Sequence, residues 1–207
     1  MFTINLSIDA AGVDTINANS QFVTLVKSVG STKGDKTPVA WITVAPFETT
    51  KITWEEEYFI YATDTALQGG ATIQLTSQTT EPAQEGFTYT FKNNVFDQAT
   101  GTGDTYNAVN ESPSNDLSFG LAQPASINEA LPSVAPLNVV KVLSNENVAF
   151  TPEETISIFL SSNTNNGSVL SEVTSGTIPF TLTSQTPTAN IGFNDSNNTF
   201  FVVSIGA

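Results

Sequence analysis

The amino-acid sequence predicts an all-β fold built from two tandem, related β-sandwich units with at most short helices. Three observations lead there. Apolar residues recur with period two, turn residues punctuate them at short intervals, and part of the chain repeats.

The alternation is clearest in four runs. Phe2, Ile4, Leu6 and Ile8 alternate with Thr3, Asn5 and Ser7, and Phe87, Tyr89 and Phe91 with Thr88 and Thr90. Leu117, Phe119 and Leu121 enclose Ser118 and Gly120, while Ile178, Phe180 and Leu182 enclose Pro179 and Thr181. Successive strand side chains point to opposite faces, so each run predicts a strand with one buried face. Pro179 lacks an N–H for a ladder, which predicts an edge strand or a bulge there. Gly- and Asn-rich stretches at 30–38, 69–70, 101–104, 110–116, 163–168 and 194–198 separate the runs, as turns require. Helical patterning is thin. The best candidates, 14–27 and 126–131, lack a convincing apolar stripe.

The repeat has an offset of 98 residues, laying 42–79 over 140–177 without a gap. Val44 meets Val142, Ile52 meets Phe150, Tyr58 meets Ile156 and Ile60 meets Ile158. The acidic pair Glu55-Glu56 falls on Glu153-Glu154, Leu75 on Val173 and Ser77 on Ser175. Upstream, Thr15-Ile16-Asn17 is echoed by Ser126-Ile127-Asn128. This divides the chain into an aromatic-rich first unit, 1–112, and a second unit, 113–207, both read as immunoglobulin-like modules in contact.

Composition narrows the function. The 207 residues carry 6 Lys+Arg against 20 Asp+Glu, a net charge of −14, and neither Cys nor His. Six scattered cations cannot displace counterions along a phosphate backbone, so nucleic acid is excluded as a partner, and anionic membrane surfaces are disfavoured. Without Cys there is no disulfide, thiol chemistry or thiolate metal site. Without His the commonest general base and transition-metal ligand is missing, and the expectation is a protein that is not an enzyme. No apolar run reaches the ~20 residues of a membrane span, and the first residues lack a signal-peptide pattern. That pattern suits a soluble protein of the cytoplasm or one released unconventionally.

Three local features could carry chemistry. The run Trp54-Glu55-Glu56-Glu57-Tyr58 could offer paired carboxylates, but its acidic pair recurs in the second unit and reads as a solvated turn entering a strand. The segment from Asp97 to Asp104 holds two glycines and two carboxylates, so Asp97 and Asp104 are the candidate ligands for calcium, the one metal ion or cofactor the residues suggest. The 194–198 turn is a second oxygen-rich loop. Gly69-Gly70 and Gly101-Thr102-Gly103 precede neither a helix start nor a Lys and are not phosphate cradles. Aromatic residues concentrate in the first unit, where Phe47 and Tyr106, flanked by turn residues, are expected to be exposed while most others fill a core.

Together these features predict a non-enzymatic, lectin-like protein. It would bind a neutral or polyhydroxylated ligand such as a glycan through Phe47, Asp97, Asp104 and Tyr106. Two other classes compete. One is a coat- or fimbria-like subunit forming a homo-oligomer through the β-prone terminal strands at 2–8 and 200–205. The other is a membrane-acting cytolysin, disfavoured by the acidic charge.

Overall fold

The first strand, β1 (Phe2–Ser7), does what its alternation requires: Phe2, Ile4 and Leu6 are buried and Thr3 and Asn5 half-buried. The structure, a computed structural model, describes residues 1–34, 37–113, 117–171 and 176–207. After β1 come α1 (Ala10–Ala18), β2 (Phe22–Ser31), β3 (Thr37–Pro38), β4 (Ile42–Val44), β5 (Thr49–Trp54) and β6 (Phe59–Thr63). Next are β7 (Ser77–Gln78), β8 (Phe87–Lys92), β9 (Val95–Thr100), β10 (Tyr106–Asn110), β11 (Ser118–Ile127) and β12 (Ser133–Pro136). The chain closes with β13 (Asn138–Lys141), β14 (Asn147–Ser161), β15 (Ile178–Thr181), β16 (Thr188–Asn194) and β17 (Thr199–Gly206). The expected all-β class is what the structure shows.

Two sheets form. A ten-stranded sheet runs β17-β16-β1-β5-β11-β13-β3, with β12 and β6 also on β11 and β7 on β6. A seven-stranded sheet runs β4-β2-β14-β10-β8-β9, with β15 also on β14. Strands from 1–112 and 113–207 enter both sheets: β1 lies between β16 and β5, and β14 between β2 and β10. One apolar cluster unites the inner faces. It includes Ile4, Ile52 and Leu121 from the larger sheet and Leu25, Tyr89 and Ile158 from the smaller. A satellite cluster around Val39, Tyr61, Ala122 and Val169 covers part of the larger sheet.

The two stretches matched at the offset of 98 pair with different strands. In the first stretch, β5 and β6 both pair with β11 and are interrupted over 55–58. In the second, β14 pairs with β2 on both sides of a register shift between Pro152 and Ile156. Each acidic pair therefore sits at an interruption. The upstream tripeptides fold differently, Thr15–Asn17 within α1 and Ser126-Ile127 at the end of β11. The matches of Leu75 with Val173 and Ser77 with Ser175, and parts of the turns at 30–38 and 110–116, lie outside the described residues.

Two helix expectations need correction. The one helix among the described residues starts at Ala10, because the Asp9 carboxylate accepts from Gly12 N at 2.7 Å and caps it. It ends at Ala18, and the rest of the 14–27 candidate is a short turn followed by the start of strand β2. The 126–131 candidate is the last two residues of β11 and the loop after it. Pro179 lies in β15, which among the described residues pairs only with β14, as an edge position requires. Glycine at 120 has a packing reason: a Cβ there would stand 2.1 Å from the Asn138 carbonyl oxygen and 2.7 Å from the Tyr61 ring.

Candidate functional site: a buried lysine between two interrupted strands

On β2, Val23, Leu25, Lys27 and Val29 share the inward parity, which drives a lysine into the core at 1% exposure. Its ammonium has three donors, and each finds an acceptor. Lys27 Nζ donates to Glu154 Oε1 at 2.6 Å, Gln123 Oε1 at 2.8 Å and the Tyr58 hydroxyl at 3.1 Å. The rings of Trp41, Trp54 and Tyr58 surround it, with centroids 5.6, 5.7 and 5.1 Å away. Their electron-rich faces favour the cation.

The interruptions create this arrangement. The shift in β14 gives its strand two residues more than β2 between paired positions, and Glu154 falls there on the parity of Phe150 and Ile156. Glu154 Oε1 also accepts from the Tyr58 hydroxyl at 2.8 Å, and Oε2 from Trp54 Nε1 at 3.0 Å. Opposite the gap between β5 and β6, Gln123 Nε2 donates to the Glu55 carbonyl at 2.7 Å, replacing the ladder bond lost there. Trp41 Nε1 donates to the Gln123 carbonyl at 3.2 Å.

Burial lowers the Lys27 ammonium from 10.5 to about 8, against the attraction of Glu154. The Tyr58 hydroxyl is pushed far up, first by burial and then by Glu154. Outside the pair, Glu56, Tyr58, Glu85, Tyr106, Pro152 and Glu154 border an open cleft of about 470 Å3. Tyr106 is raised to about 12, by burial first and then by Glu85 and Glu56.

The acidic runs behave differently from each other. Glu55, Glu56 and Glu57 are exposed, as a solvated turn would have them. Glu154 departs from that reading, because its side chain is only 11% exposed and neutralises Lys27. Phe47 is exposed as expected, at 52%, but Tyr106 is buried at 6%, stacked edge-on against Tyr58. Its position at the start of β10, on the inward parity with Ala108, explains the burial.

The four predicted contact residues are not brought to one place. Phe47 follows β4 at one edge of the seven-stranded sheet, whereas Asp97 lies in β9 at the other edge. Five strand spacings separate those edges, on the order of 24 Å. Asp97 and Asp104 are both exposed, one on β9 and one in the turn after it. No group of three or more carboxylates gathers around a metal position among the described residues. In the 194–198 turn, Asn194 Oδ1 accepts from Ser196 N and Asn197 Oδ1 from Thr199 Oγ1, so those oxygens serve the hairpin itself.

Lys27 and Gln123 were not singled out by sequence reasoning, and Glu154 was read only as part of a solvated acidic pair. A signal existed for two of them: Lys27 and Gln123 each occupy the inward parity of a long apolar strand. No helix among the described residues is long and apolar enough to cross a membrane. No protein-family model matches the chain, and neither a curated protein nor a solved structure matches it significantly.

Proposed function

We propose that this chain is a structural, self-assembling β-sandwich subunit, and the observation that carries the reading is strand β17. Sheet edges expose unpaired N–H and C=O groups, and proteins blunt them with short strands, charges or proline. Three of the four path edges are blunted here. Strand β3 has two residues, one of them Pro38, β4 has three, and β9 carries Asp97. Strand β17 runs for eight residues, Thr199–Gly206, with no charge and no proline. It also exposes Phe201, Val203 and Ile205, at 46%, 63% and 38%. β17 carries one extra residue, Val203, between the partners of Ile191 and Asn190, so Phe201, opposite Gly192, and Ile205, opposite the buried Ala189, stand on opposite faces and apolar groups line both sides of the strand.

The fitting occupant is the β17 strand of a second copy. A net charge of −14 repels copies over most of the surface, and β17 is a strip where identical strands meet without like charges. Light scattering across concentration tests this: the mass rises with concentration for the native chain and stays monomeric after Val203→Lys and Ile205→Lys together. A native chain that remains monomeric throughout contradicts it.

The same reading takes the two immunoglobulin-like repeats as halves of one pseudo-symmetric sandwich. Strands β2 and β11 would be counterparts, each running against the other half's interrupted strand, with Lys27 and Gln123, 96 residues apart, meeting near the pseudo-axis.

A lectin-like role is the second reading, favoured by the cleft that Tyr58 and Tyr106 border beside hydrogen-bonding Gln84 and Glu85. A glycan microarray in millimolar calcium tests it. Asp97→Ala with Asp104→Ala abolishes a sugar-competable signal if those residues bind, an unchanged signal removes them from the site, and a blank array contradicts the role.

A further inference from the structure

The Lys27 network places an amine, a carboxamide and a carboxylate in contact inside a water-poor core, a combination able to make a covalent bond. We propose that the Lys27 side chain condenses with the Gln123 carboxamide, releasing ammonia and leaving an intramolecular isopeptide cross-link between the two sheets. This inference is independent of how β17 associates.

The geometry supplies each requirement. Lys27 Nζ lies 2.8 Å from Gln123 Oε1, one bond from the carbon it attacks. Both residues are buried, at 1% and 0% exposure, so the amine has no water to compete with it as a nucleophile. Their strands belong to different sheets and are anchored by long pairings with β14 and β6, which holds the reactants in place without further ordering. Glu154 Oε1, 2.6 Å from the amine, is the proton carrier. Burial in an apolar setting favours the neutral amine that the attack needs.

The protons and bonds balance as follows. Lys27 passes one ammonium proton to Glu154, and the free amine adds to Gln123 Cδ, forming the C–N bond and placing charge on Oε1. Glu154 returns a proton to the carboxamide nitrogen, and the original C–N bond breaks to release ammonia. The second proton shed by the lysine nitrogen goes to Glu154 and leaves with ammonia as ammonium. One proton remains on the new amide, and no oxidant or reductant takes part. The product joins β2 to β11 across the sandwich in a chain that has no cysteine for a disulfide.

Intact-mass measurement of the full chain in denaturant, followed by peptide mapping, tests the proposal. The expected result is a mass one ammonia below that of the sequence, a branched peptide joining Lys27 to Gln123, and a Lys27 amine that resists acylation after unfolding. Gln123→Leu restores the full sequence mass, and Glu154→Gln slows cross-linking by about 100-fold or more. Overturning results are a native chain with full sequence mass and an acylable Lys27, or an ammonia loss that maps elsewhere. The succinimide-prone Asn166-Gly167 pair is one such place.

Discussion

Before any Lys27–Gln123 bond has formed, Glu154→Ala is expected to destabilise the fold by about 3–5 kcal/mol, the cost of leaving one member of a buried ion pair without its partner. Three donors lose an acceptor at once: Lys27 Nζ, the Tyr58 hydroxyl and Trp54 Nε1. The lysine cannot simply turn to solvent, because its amine is enclosed by three aromatic rings and bonded to Gln123. The comparison that isolates the charge is Glu56→Ala. Glu56 precedes Glu154 by the repeat offset, yet it is exposed and touches the lysine only through longer-range attraction. Its removal is expected to stay within about 0.5 kcal/mol. Urea denaturation of the two variants measures the difference, and equal losses would contradict the assignment of Glu154 as the lysine's counter-ion.

Trp41→Ala is expected to cost a similar amount, about 3–5 kcal/mol, through a different cause. Trp41 is fully buried, and its ring meets Trp54 edge-on at 5.2 Å. Truncation opens a cavity beside Lys27, removes one face of its aromatic enclosure and takes away the indole donor to the Gln123 carbonyl. Thermal unfolding of Trp41→Ala and Trp41→Phe separates these contributions. Phenylalanine keeps most of the volume and a ring face but not the indole N–H, so it is expected to recover more than half the loss. Equal losses in the two variants would mean that the hydrogen bond, rather than the packing, dominates.

Much of the fold was legible in the sequence because strand parity is a local property. The alternations in 2–8, 87–91 and 178–182 became β1, β8 and β15 with the inward residues as predicted. Of the two acidic pairs matched at the offset of 98, one lies between β5 and β6 and the other at the register shift within β14. What those carboxylates meet was not legible. Lys27 and Glu154 are 127 residues apart, and their contact exists only because β14 pairs with β2 across the chain. Tyr106 was misjudged for a related reason: glycines and polar residues before it suggested exposure, but the parity of β10 turns its ring inward. Phe47, by contrast, sits in an irregular segment between sheets, where nothing covers it.

Hydrogen–deuterium exchange of the β17 backbone amides, followed as concentration is raised, tests assembly through this strand most directly. Among the described residues β17 pairs with no strand but β16, and its amides facing away from β16 are expected to exchange quickly when dilute. The account predicts that they become protected as concentration rises, while the exposed amides of β9, at the charged edge, do not. Rapid exchange in β17 at every concentration, or protection appearing on β9 instead, would contradict it.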